Sequence, residues 1–129
     1  MQTVQPVQPI IKRLHQWCCH GVLSPESASS VLLQVINFIG MQPGRKCRID
    51  RYPFRKKGGK GYTLYQPLTD SYITADAYEE DINGEPVNQT VVILASCKDY
   101  DPVTVGLLLS KLIGPLVLLQ NMTTPTMPE

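Results

Sequence analysis

Apolar residues recur at Ala28, Val31, Leu32, Val35, Ile36 and Ile39. The spacing i, i+3, i+4, i+7, i+8, i+11 draws one stripe along an α-helix. Ser24-Pro25-Glu26 stands just ahead of it. Ser is a good N-cap, Pro at the first helical position loses no needed N–H, and Glu suits the positive end of the helix. Gly40 follows as a C-terminal cap. The same start recurs at Asp101-Pro102, ahead of a second stripe at Val105, Leu108, Leu109 and Leu112. Gly114-Pro115 ends that helix.

The other apolar runs read as strands. These are Ile10–Cys18, Cys47–Tyr52, Tyr62–Leu68 (limited by Pro67), Ser71–Tyr78, Thr90–Cys97 and Leu116–Gln120. Arg55–Gly61 reads as a Gly/Lys-rich loop or hairpin tip, and Glu79–Asn88 as a polar connection turning at Asn83-Gly84. The order β-α-β-β-β-β-α-β, with one apolar stripe per helix, predicts an α+β fold. It is a two-layer sandwich, a mostly antiparallel sheet with two helices packed on one face. A single domain spans 10–120, after a flexible segment 1–9 and before a loose tail 121–129. Thr90–Cys97 (TVVILASC) is apolar on both sides, which predicts a central strand and a partner on the sheet's open face. A symmetric homodimer is the simplest partner.

The chain has 129 residues, 43% of them apolar and 18% charged, which fits one globular domain. No apolar run reaches the roughly 18 residues of a membrane span. The Gln- and Pro-rich start lacks the regions of a signal peptide. Four cysteines are too few for a disulfide scaffold, so the chain reads as cytoplasmic with free thiols. The net charge of +1 conceals a polarity. Eight of twelve cations lie in Arg45–Lys60, and six of eleven acids follow: Asp70, Asp76, Glu79, Glu80, Asp81 and Glu85. The basic block reads first as a solvated strand edge. Binding of an anionic ligand or nucleic acid, helped by Tyr52, Phe54, Tyr62 and Tyr65, is the less favoured alternative.

Two short motifs carry a family resemblance. One is Pro67-Leu68-Thr69-Asp70-Ser71-Tyr72-Ile73-Thr74-Ala75-Asp76-Ala77-Tyr78-Glu79-Glu80, an acid then Ser then an alternating strand ending in Glu. The other is Ile93-Leu94-Ala95-Ser96-Cys97-Lys98-Asp99-Tyr100-Asp101-Pro102, a strand ending in Cys, then Asp-Pro opening a helix. With the upstream Gly58-Gly59-Lys60-Gly61, they resemble the bacterial and archaeal S-adenosylmethionine decarboxylases, pyruvoyl-dependent enzymes of polyamine and spermidine synthesis. The resemblance implies self-cleavage between Asp70 and Ser71, leaving a pyruvoyl group from Ser71 as the cofactor and no metal. That ketone would form a Schiff base with the substrate amine and draw off electrons as carbon dioxide leaves. It further implies Cys97 as the acid that returns a proton to the substrate carbon, Glu80 and Tyr78 near the substrate, and a homodimer.

The chain departs from the family at defined points. Tyr72 stands where the family has His, and Asp76 replaces the His that assists processing. Residues 71 and 76 face opposite sides of a regular strand, so a bulge or turn is needed to bring them together. Asp76 can donate a proton only if burial or the nearby carboxylates Asp70, Glu79 and Glu80 keep it protonated. Two alternatives to the decarboxylase follow. One is a non-processing homologue that binds a small nucleoside-like or anionic ligand; the other is a nucleic-acid binder using Arg45–Lys60. His15-Gln16-Trp17-Cys18-Cys19-His20 makes a poor metal site, since adjacent cysteines point to opposite faces and no second pair has zinc spacing. Gly58-Gly59-Lys60-Gly61 lacks the Ser/Thr and helix of a P-loop.

Overall fold

The computed structural model describes residues 13–52 and 60–123. The elements follow the order β1 (Arg13–His20), α1 (Pro25–Phe38), β2 (Arg48–Tyr52), β3 (Lys60–Leu68), β4 (Ser71–Ile82), β5 (Glu85–Ser96), α2 (Pro102–Leu112) and β6 (Leu116–Asn121). The strands form one sheet in the order β2-β3-β4-β5-β1-β6, and each neighbouring pair is antiparallel. Both helices lie on one face of it, so the chain is an α+β two-layer sandwich.

The two helix starts act as the side chains dictate. The Ser24 hydroxyl accepts from the Ser27 N–H at 3.2 Å, and Asp101 accepts from the Val103 N–H at 3.0 Å. Each satisfies a donor that the first helical turn leaves unpaired. The stripe on α1 buries Ala28, Val31, Leu32, Val35 and Ile36. Beneath it the inward faces of the strands supply Trp17, Leu64, Ile73, Ala75, Ala77, Val92 and Leu94. These residues alternate along each strand, as a one-sided core requires.

Element ends differ from the sequence reading: Lys60 and Gly61 open β3 rather than closing the loop, and three further differences are larger. β4 and β5 continue through the segment 79–88 that reads as a connection, leaving a two-residue turn. Asn83 and Gly84 both have positive φ, 52° and 82°, the geometry of a tight hairpin turn that matches strand twist. The ladder therefore runs into the turn although the residues there are polar. Second, β1 runs on past Cys18 to His20. Third, the start of the supposed tail is held: Asn121 belongs to β6, Met122 N–H donates to Leu14 O, and Thr123 Oγ1 accepts from Leu14 N–H. Segment 1–9, most of the loop Arg55–Gly61 and residues 124–129 lie outside the described residues.

Candidate functional site

β3 and β4 are joined at Thr69-Asp70, and Leu68 pairs with Ser71 across the hairpin. Asp70 adopts φ 59°, a left-handed conformation that Asp tolerates better than most residues. Ser71 is the first residue of β4 and shares the inward face with Ile73, Ala75 and Ala77. It is only 9% exposed. The β4–β5 ladder pairs Tyr72 with Ala95, so the end of β5 returns to the level of Ser71. There Cys97 meets it. The Cys97 N–H donates to Ser71 Oγ at 3.1 Å, and the Ser71 hydroxyl donates to Cys97 Sγ at 3.6 Å. Ser96 fixes this turn, accepting from the Lys98 N–H and donating to the Lys98 carbonyl, both at 2.9 Å.

A cavity of about 320 Å³ opens beside the pair, lined by Gly40, Met41, Gln42, Thr69, Asp70, Cys97 and Lys98. The end of α1 supplies its far wall, where Lys98 Nζ donates to the Gly40 carbonyl at 3.1 Å. Cys97, Lys98, Asp70 and Met41 are thus gathered around one cavity. Gly40, Met41, Gln42 and Lys98 were not legible as site residues. The first three follow a helix end, and only the fold brings that end over Cys97.

Asp76 is elsewhere. The β3–β4 ladder runs in register from Leu68↔Ser71 to Lys60↔Glu79, and the β4–β5 ladder from Tyr72↔Ala95 to Ile82↔Glu85. No bulge interrupts either one between residues 71 and 76. Asp76 therefore lies on the open face of the sheet, about 17 Å along the strand from Ser71. Its carboxylate accepts from the Thr63 hydroxyl. This corrects the expectation that a local irregularity joins the two. Tyr78 and Glu80 share Asp76's face, farther from Ser71, and neither lines the cavity.

The segment His15–His20 also divides between faces. His15, Trp17 and Cys19 point toward the helices, while Gln16, Cys18 and His20 belong to the open side. All four cysteines are free. Among the described residues no three His, Cys, Asp or Glu side chains are grouped to hold a metal ion. His15 is instead a structural polar group. Its Nδ1 is 2.7 Å from Tyr100 Oη, and the neighbouring Trp17 Nε1 donates to Pro102 O at 2.9 Å. Burial, then the charge of Arg13, lowers the His15 pKa below its usual 6.5. Burial pushes the Cys19 thiol up to about 11, with a smaller contribution from Cys18, and raises the Tyr100 phenol.

The described part of the basic block lies at the sheet edge. Arg48 pairs with Asp50 at 3.2 Å and Arg51 with Glu26 at 3.5 Å, both exposed. A shallower hollow of about 600 Å³ runs between α1 and this edge, with Leu33 and Ile49 on its walls and Arg45 and Lys46 on its rim. Among the described residues no helix is long and apolar enough to cross a membrane. No protein family, curated protein or solved structure matches the chain.

Proposed function

We propose that the chain is a self-cleaving, pyruvoyl-dependent decarboxylase of the S-adenosylmethionine decarboxylase type. It acts on S-adenosylmethionine or a related amino acid in polyamine synthesis. One observation carries the reading: the Ser71 hydroxyl is held between the N–H and the thiol of Cys97, 26 residues away, and Cys97 lines a cavity. Ser and Cys are the two residues that the motif resemblance assigns to the chemistry.

The chain's residues suit the steps. The Ser71 Oγ attacks the Asp70 carbonyl carbon, and the Asp70–Ser71 amide becomes an ester with a free amine. The Ser71 Cα then loses its proton, the Cβ–O bond breaks and Asp70 departs as a new C-terminal carboxylate. Water replaces the freed nitrogen, which leaves as ammonia, and residue 71 becomes the pyruvoyl group. That ketone is the electron sink for loss of carbon dioxide from an amino acid. The Cys97 thiol stands at the cavity wall to return a proton to the substrate carbon. Met41 gives an apolar wall that limits water, and Lys98 and Asp70 give a cation and an anion to orient the substrate.

Tyr78, Glu80 and Asp76 lie on the open face of the sheet, where in this reading a second copy of the chain packs. The protein is then a cytoplasmic homodimer. The aromatic pair Tyr65–Tyr72, with ring centroids 5.8 Å apart, belongs to that face.

Intact mass under denaturing, reducing conditions tests the proposal. Two fragments, 1–70 and 71–129, the second with a pyruvoyl N-terminus, are expected. A single full-length chain after long incubation removes the decarboxylase reading. The non-processing binder then takes its place, because Tyr72 and Asp76 stand where the processing histidines are missing.

A further inference from the structure

We infer that Cys97, besides any part in decarboxylation, is the base for self-cleavage: its sulfur takes the Ser71 hydroxyl proton as Oγ attacks Asp70. The inference rests on the decarboxylase reading and assigns to Cys97 the task left vacant by the missing histidine. Among the described residues, Cys97 is the only titratable side chain hydrogen-bonded to Ser71. Its direction is right, since the hydroxyl donates toward Sγ while its oxygen accepts from the Cys97 N–H. The oxygen and the sulfur are therefore within reach of one another for the proton that must leave. The rival group, Asp76, lies on the other face of a strand with no bulge between the two residues. The Lys98 ammonium is occupied with the Gly40 carbonyl and in any case has no lone pair to offer while charged.

The step balances without any added reagent. As the Oγ–C bond to Asp70 forms, the Oγ proton passes to the Cys97 sulfur and the thiol's own proton passes on to the Ser71 nitrogen. The Asp70 C–N bond breaks as that nitrogen is protonated. The products are an ester, a free amine and the thiol again. Nothing is oxidised or reduced. The left-handed Asp70 is the residue whose carbonyl is attacked, so the reacting bond sits in a tight turn rather than inside the ladder.

The test follows cleavage of the full chain by mass during cell-free synthesis, for wild type, Ser71→Ala, Cys97→Ala and Cys97→Ser. Cys97→Ala keeps the N–H that holds Oγ and loses only the sulfur. Wild type is expected to split after Asp70, and Ser71→Ala to stay whole. Cys97→Ala is expected to cleave at least about a hundredfold more slowly, the usual scale of lost general-base catalysis. It should yield no fragment with hydroxylamine, because no ester has formed. Imidazole, a small base able to enter the adjoining cavity, is expected to restore part of the rate, which a merely structural loss would not allow. Cys97→Ser, close in shape, gives the same slow cleavage and stands in if the alanine variant does not fold. Cleavage of both Cys97 variants at the wild-type rate overturns the inference and leaves the decarboxylase reading intact. So does a hydroxylamine-labile ester that accumulates in Cys97→Ala, since Cys97 then acts after the attack. A wild-type chain that never cleaves takes down the decarboxylase reading, and this inference with it.

Discussion

His15 shows how one side chain sets a condition on the whole chain. It is 3% exposed, faces Tyr100 and Trp17, and has Arg13 as its charged neighbour. Burial and Arg13 both disfavour its charged form. The folded state thus binds a proton less readily than the unfolded chain, whose histidine titrates near 6.5. Stability is therefore full above that value and falls as the pH drops through it toward the lowered folded pKa. Thermal unfolding of wild type between pH 7.5 and 5 should show this loss, and His15→Asn should flatten it. An equal slope in both chains would place the acid sensitivity elsewhere. Gly106 is a second case. A Cβ there would stand 3.0 Å from Leu116 Cδ2 and 3.1 Å from Trp17 Cδ1. Alanine gains about 1 kcal/mol of helix propensity but overpacks a core whose misfit costs about 1–3 kcal/mol. Gly106→Ala should lower stability on balance, measured by urea unfolding. At this scale the sequence was legible where chemistry is local. Ser71 and Cys97 stand out by motif, whereas Met41 and Gln42 do not, because they reach the cavity only through the path of α1 over the sheet.

Secondary-structure elements are legible where a stripe or cap is written in adjacent residues. Both helices start at the predicted cap and proline. β4 and β5 run beyond the strands that apolar alternation marks, because the polar stretch past residue 78 is itself a strand pair. Composition suggested a loop, but the Asn83-Gly84 turn can close a ladder with no loop residues to spare. That turn gives a clean test. A Cβ on Gly84 meets nothing within 4 Å, so substitution acts through φ alone. Gly84→Ala should destabilise the hairpin by roughly 1 kcal/mol through its left-handed conformation. Gly84→Asn, better tolerated there, should recover part of it. Hydrogen exchange of the Asp81–Pro86 end reads the difference, and no change in protection would mean that the turn is already frayed. The regular register of β4 also decides the fate of Asp76: motif spacing alone left open whether a bulge brings it to Ser71, and only the pairing of both neighbouring strands answers that.

For the whole molecule, the question is what covers the sheet's second face. Helices shield one side, while the other carries Tyr72, Thr74, Asp76 and Tyr78 on β4 and Val91 and Ile93 on β5. Six strands at about 4.8 Å spacing and about 20 Å of ladder present roughly 600 Å² per copy. Two apposed faces would bury about 1,200 Å², the lower end for a stable interface. Area alone thus permits a homodimer but makes it sensitive to a single badly placed charge. Ile93 sits opposite both Gln16 and Thr74, on two neighbouring strands, so it lies well inside the sheet rather than at an edge. Ile93→Lys would bury an unpaired ammonium at such an interface, a cost several kcal/mol beyond what so small an area can offset. Sedimentation should therefore find the wild-type chain as a dimer and Ile93→Lys as a monomer with unchanged far-ultraviolet dichroism. A wild-type monomer at the same concentration would leave the open face to a different occupant.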